Sequence, residues 1–115
     1  MIETALTKYL NDNLNVGAYA EYPEKAPAQF VLIEKTGSGI NNMIASATIA
    51  IQSYAGSLLK AMQLNEKVKE AMDNFWSLNN IVRCELNTDY NFTDTSTRKY
   101  RYQAVFDITY YKEDT

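Results

Sequence analysis

The sequence predicts an α+β domain: a mostly antiparallel sheet of four to five strands, with one long helix and an N-terminal helix packed on it. Three observations carry that reading. Residues 43–55 and 99–111 alternate apolar and polar side chains at the period of a strand. Residues 58–77 place Leu58, Ala61, Leu64, Val68, Ala71, Met72 and Phe75 on one helical stripe. Pro23 and Pro27 bracket a segment that neither a helix nor a central strand can hold.

The first helix is expected over 2–14, where Ile2, Ala5, Leu6, Tyr9 and Leu10 share a face. The Asn-rich run to Asn15 and Gly17 stops it. Residues 18–22 read as a short strand that ends at Pro23, and residues 29–36 as a second, around Phe30-Val31-Leu32-Ile33. Gly37-Ser38-Gly39-Ile40-Asn41-Asn42 has the composition of a hairpin loop. In the strand 43–55, Ala45, Ala47, Ile49 and Ile51 face one way and Ser46, Thr48, Ala50 and Gln52 the other. Gly56 ends it, and Ser57 is positioned to cap the long helix. After a turn at 77–80, residues 81–88 form the next strand, with Val82, Cys84 and Leu86 opposite Arg83 and Glu85. The polar stretch 89–97 reads as a flexible connection into the last strand, and the tail 112–115 is expected to fray.

A chain of 115 residues is one domain, 1–115, with enough buried surface for a single core. Its 11 basic and 14 acidic residues give a net charge of −3, which disfavours a sequence-independent nucleic-acid coat. There is no apolar run long enough for a membrane span and no basic-then-apolar leader at the N-terminus, so a cytoplasmic protein is expected. The lone Cys84 fits a reducing compartment. Asn91-Phe92-Thr93 matches a glycosylation sequon by chance in such a setting.

Catalytic and ligand-binding motifs fail one by one. A Ser-His-Asp triad needs a histidine, and the chain has none. Ser57-Leu58-Leu59-Lys60 matches the Ser-x-x-Lys nucleophile pattern, but its partner motifs are missing, so Ser57 reads as a cap. Asp89 to Asp94 begins like a calcium loop, yet Asp94 and Tyr100 stand where Gly and Glu are needed. Gly37-Ser38-Gly39 is followed by a strand rather than a helix, so it is a turn, not a phosphate cradle. Glu85 and Asp107 could face each other across strands as a carboxylate pair. Thus no catalytic residue, metal or cofactor is expected. Arg98-Lys99-Tyr100-Arg101-Tyr102 interleaves basic and aromatic side chains like a single-strand nucleic-acid platform. Its plainer reading is a strand with tyrosines inside and arginines in water, so that Arg101→Glu leaves folding intact. Nine tyrosines and Trp76 lean toward self-association.

The order of segments resembles the tail-terminator and head-to-tail joining proteins of long-tailed bacteriophages. Tyr22-Pro23 and Ala26-Pro27-Ala28-Gln29-Phe30-Val31-Leu32-Ile33-Glu34 look like their proline-led first main strand. Ile49-Ala50-Ile51-Gln52-Ser53-Tyr54-Ala55, with Ser57 and Ala61 after it, is similar to their passage from strand to helix. Tyr100-Arg101-Tyr102-Gln103-Ala104 through Ile108-Thr109-Tyr110-Tyr111 resembles their closing strand. The resemblance implies a structural protein without enzymatic activity that forms a ring, usually a hexamer, at the head-proximal end of the tail tube. Its partners would be copies of itself, the tail tube protein and a head-completion or connector protein. It would need no sequence-specific nucleic acid and no membrane, and would pass from the host cytoplasm to the head–tail junction of the virion. The loops 37–42 and 88–98 are the expected contact surfaces, through Ser38, Ile40, Asn41, Asn42, Tyr90, Phe92, Arg98, Lys99 and Arg101. The alternative is a small nucleic-acid-binding or regulatory module that uses the basic-aromatic last strand; a small enzyme with an unrecognised site comes third.

Overall fold

The structure, a computed structural model, describes residues 1–112. The expected fraying of 113–115 lies outside the described residues. The elements are α1 (Ile2–Asn13), β1 (Gly17–Tyr19), β2 (Phe30–Asn41), β3 (Ile44–Ala55), α2 (Leu58–Met72), a 3-10 turn (Phe75–Ser77), β4 (Ile81–Asn91) and β5 (Tyr100–Tyr111). They make one five-stranded sheet in the order β1-β2-β3-β5-β4. Every neighbouring pair is antiparallel except β1 and β2. Both helices lie on one face, so the fold is α+β as the alternation and the helical stripe require.

That face is the core. Leu6 and Leu10 of α1, and Leu64, Val68 and Met72 of α2, close over Val31, Ile33, Ile49, Ile51, Ala104, Phe106 and Ile108. Phe75 completes it from the 3-10 turn, edge-on to Tyr9 at 5.1 Å between ring centres. Tyr9 donates its hydroxyl to the Ala71 carbonyl at 2.6 Å, which ties the two helices together. Burial, and secondarily the nearby Cys84, raises the Tyr9 pKa. Ser57 caps α2: its Oγ accepts from the Lys60 backbone N–H at 3.2 Å.

Several boundaries differ from the sequence expectation, each for a physical reason. The hairpin loop expected at 37–42 is not a loop. The ladder between β2 and β3 continues to Asn41 opposite Ile44, leaving Asn42-Met43 as the turn. Asn42 takes the left-handed φ of 60° that this residue tolerates. Gly37 and Gly39 lie opposite Thr48 and Ser46, in ordinary extended ladder positions. Strand β4 runs on to Asn91, past the expected end at 88. The polar residue that suggested a loop, Asp89, is held in the strand by contacts to α2. The helix expected through 77 ends at Met72, with the 3-10 turn beyond it. Leu58 is exposed rather than part of the buried stripe.

Helix α2 lies over β3 and β5 and barely touches β4. Consequently the side chains of β4 expected to face the core do so only in part. Cys84 is half-buried and Leu86 exposed; Val82 is exposed as well, and there the alternation is broken by a shift of register between Ile81 and Arg83. Burial pushes the Cys84 thiol up to about 11, with Asp73 and Glu85 adding to the shift.

Candidate assembly surfaces

The nine expected contact residues separate into two groups at opposite ends of the sheet. Register fixes this. Asn41, Ile44 and Tyr111 share a row at one end, whereas Tyr54 and Arg101 share a row at the other. Ser38, Ile40, Asn41 and Asn42 therefore belong to the far end of the β2–β3 hairpin. Tyr90, Phe92, Arg98, Lys99 and Arg101 gather where β4 turns into β5.

At the hairpin end the exposed surface mixes apolar side chains with the amides of Asn41 and Asn42. Ile40, Met43 and Ile44 stand in solvent, and Tyr111 lies opposite Ile44. The turn is fastened to the sheet by the Lys112 N–H, which donates to the Met43 carbonyl at 2.9 Å. Met43, Ile44 and Tyr111 were not singled out in the sequence, because periodicity assigns them to a strand without saying that the strand projects beyond the helices.

The opposite end carries an aromatic cluster on the sheet face away from the helices. Phe30 and Tyr54 stack with ring centres 4.6 Å apart. Tyr22, from the proline loop, meets both edge-on. Lys99 places its ammonium over the Tyr22 ring at 4.6 Å, and the Arg101 guanidinium lies 4.4 Å from the centre of Phe92. Arg101 is thus not a solvated arginine. Its Nε donates to the Phe92 carbonyl at 2.6 Å and its Nη1 to the Tyr54 hydroxyl at 2.8 Å. Against the expectation that Arg101→Glu leaves folding intact stand these contacts: a carboxylate there would face a carbonyl it cannot bond and lose both rings.

A relay starts at that guanidinium. Tyr54 donates to Gln52 Oε1 at 3.0 Å, Gln52 Nε2 donates to Gln103 Oε1 at 2.9 Å, and Gln103 Nε2 donates to the Tyr90 hydroxyl. Gln52 and Gln103 are buried on a face where the sequence shows only alternation, and the pairing accounts for it. The sequence reading missed both. Cross-strand register, with Gln52 directly opposite Gln103, was the signal that would have found them.

The β4–β5 connection is ordered by its own side chains. Asp94 Oδ1 accepts from the Ser96 hydroxyl at 2.7 Å and from the Ser96 and Thr97 N–H groups, an Asx turn in place of a calcium loop. These bonds, the Ser96 hydroxyl first, hold the Asp94 pKa down at about 2. Arg98 completes the turn at a φ of 57°. Glu85 and Asp107 do stand directly opposite each other. Both are exposed, and each is engaged sideways. Arg83 pairs with Glu85 at 2.6 Å, and Asn87 and Thr48 donate to Asp107. No group of three potential metal ligands is found among the described residues. No helix among them is long and apolar enough to cross a membrane.

A third surface was not foreseen. Between α2 and the end of β4 runs a groove of about 430 Å³, walled by Leu59, Met62 and Glu66 on one side and Asp89 and Tyr102 on the other. Leu59 and Met62 are exposed. Asp89 accepts from Asn65 Nδ2 at 2.8 Å and from Lys69 Nζ at 2.9 Å. The Lys69 bond is the main cause of the lowered Asp89 pKa, and the Asp89 bond is the main cause of the raised Lys69 pKa. Asn65 Oδ1 is buried and accepts no hydrogen bond. No protein-family model matches the chain, and no curated protein matches it.

Proposed function

We propose that this chain is a structural assembly protein of a long-tailed bacteriophage, acting without enzymatic activity. In this reading it forms a ring at the head-proximal end of the tail tube, stops tube growth and presents a surface to the head connector. The reading rests on the resemblance in segment order. The observation that carries it further is the distribution of exposed apolar side chains. Ile40, Met43, Ile44 and Tyr111 crowd one end of a 43 Å long molecule, and Leu59 and Met62 flank a groove toward the other. Exposed apolar patches on opposite ends suit a subunit with a neighbour on each side.

The test is mass by light scattering across concentration, alone and then with purified tail tube protein. A closed ring, free or on the tube end, is the expected result. A monomer that ignores the tube at every concentration sinks the reading.

A nucleic-acid-binding module is the second reading, favoured by one observation: Lys99 and Arg101 lie on aromatic rings at one end of the open sheet face. Against it, the Arg101 guanidinium is already bonded within the chain. A salt-sensitive mobility shift of labelled single-stranded DNA, abolished by Lys99→Glu, would favour this module over the ring.

A further inference from the structure

We propose that residues 20–29 form a releasable strap across the open sheet face, and that the seat held by Tyr22 is a site for an aromatic ring carried by a partner.

Topology puts the strap where it is. Strands β1 and β2 are parallel, so residues 20–29 must carry the chain from the end of β1 back to the start of β2. Such a crossover is usually a helix packed on the sheet. Pro23 and Pro27 forbid one here, and the segment crosses without regular structure. Residues 20–28 are exposed apart from Pro23, which is half-buried. No hydrogen bond or ion pair joins residues 21–28 to the rest of the described chain. The strap's own charges, Glu21, Glu24 and Lys25, all stand in solvent and form no ion pair among the described residues.

The neighbouring connection, from β4 to β5, is the opposite case. Its Phe92 N–H donates to the Arg101 carbonyl at 2.9 Å, and Asp94 and Lys99 exchange backbone bonds at 3.1 and 3.2 Å. A segment with no such bonds and little buried surface opens at low cost.

One side chain holds the strap down. The Tyr22 ring meets Phe30 edge-on at 5.5 Å and Tyr54 at 5.7 Å, and the Lys99 ammonium lies over its face at 4.6 Å. Tyr22 is itself 41% exposed, whereas Phe30 and Tyr54 beneath it are 3% and 6% exposed. That lower pair is fixed by other means. Phe30 and Tyr54 are direct neighbours across the β2–β3 ladder, and Tyr54 is bonded to Arg101 and Gln52. The seat is therefore built by the sheet, while its occupant hangs on a loop.

Tyr22 also shows what the seat takes. Two rings offer edge-to-face contact, and a cation waits above for the face of a third. An aliphatic group of the same size would fill the space but give the ammonium nothing to lie on. An aromatic side chain from a partner competes with Tyr22 for this place, and displacing Tyr22 breaks no hydrogen bond between residues 21–28 and the sheet. The strap, with its three charges, then swings clear of the sheet.

Trypsin reads the strap and p-cresol, the tyrosine side chain alone, reads the seat. Cutting at the Lys25–Ala26 bond should be about tenfold faster in Tyr22→Ala than in the parent, while cuts at Lys60 and Lys67 in α2 keep their rates. Followed by the aromatic NMR signals of Phe30 and Tyr54, p-cresol should bind Tyr22→Ala about tenfold more tightly than the parent, whose seat is filled. Adding Lys99→Gln to Tyr22→Ala should weaken that binding severalfold, and the saturated methylcyclohexanol should bind neither chain. Equal cutting at Lys25 in both chains overturns the strap, because Tyr22 is then no anchor. A Tyr22→Ala chain that fails to fold overturns it too, because Tyr22 is then part of the core. Faster cutting without tighter p-cresol binding, or methylcyclohexanol binding as well as p-cresol, overturns the seat. None of these outcomes touches the ring reading, which is decided by mass.

Discussion

A cation can donate hydrogen bonds but never accept them, and one arginine therefore sets the direction of a whole network. Arg101 makes Tyr54 an acceptor, which turns the Tyr54 proton toward Gln52 and fixes the order of both glutamine amides. Arg101→Met removes the source and leaves the Phe92 carbonyl and Tyr54 hydroxyl without their partner. A loss of about 1–3 kcal/mol in urea unfolding is expected. At Asp89 charge decides. Its pKa is lowered, first by Lys69, so its stabilisation is complete at neutral pH, above the ordinary carboxylate range. That contribution drains away as pH falls through the ordinary value toward the lowered one. The raised Lys69 pKa works in the opposite limb, its share being lost only as pH rises past the ordinary lysine value. Asp89→Asn is expected to be less stable at pH 7 and to lose less on acidification than the parent, read as the urea midpoint between pH 7 and 3. Cys84, with its thiol at about 11, is expected to react with a thiol reagent at pH 8 far more slowly than the same residue in the unfolded chain. Comparable rates in buffer and in denaturant would show that its burial does not shield it.

Elements follow from these residues, and here the sequence was readable in proportion to how local the cause is. Alternation in β3 and β5 and the stripe of α2 are local, and each gave the right element in the right order. Burial on one face followed from the same period. Strand ends were not local. Gly37 and Gly39 look like breakers, yet the long β3 partner keeps them extended, since pairing with Thr48 and Ser46 satisfies their backbone groups. Asp89 looks like a loop residue, yet Asn65 and Lys69, some 20 residues earlier, give its carboxylate a place in a strand. Exposure of Leu86 depends on where α2 crosses the sheet, and that of Val82 coincides with a shift of register between Ile81 and Arg83; no window of sequence encodes either. The same holds for the candidate surfaces. The hairpin residues and the basic-aromatic turn were visible by composition, whereas the groove exists only because α2 leaves β4 uncovered. One turn can be tested alone. Asn42 has a positive φ, so Asn42→Val should cost about 1–2 kcal/mol, while Asn42→Gly should be nearly neutral.

As a whole, the described residues form an elongated body, 43 by 25 by 23 Å, with helices on one face of the sheet only. Phe75→Ala, at a fully buried site against Tyr9 of α1, should cost about 3–5 kcal/mol and lower the melting temperature sharply. The uncharged hairpin has a consequence of a different kind. A projecting turn is ordinarily where a protease first nicks a folded protein. Trypsin cuts after Lys or Arg, and from Thr36 to Leu59 it has nothing to cut. Limited trypsinolysis should therefore trim the chain elsewhere and release the hairpin as one intact piece, while a protease that cuts after aromatic or large aliphatic residues should enter beside Met43. For this protein, resistance to trypsin will report the chemistry of its most exposed turn rather than its rigidity.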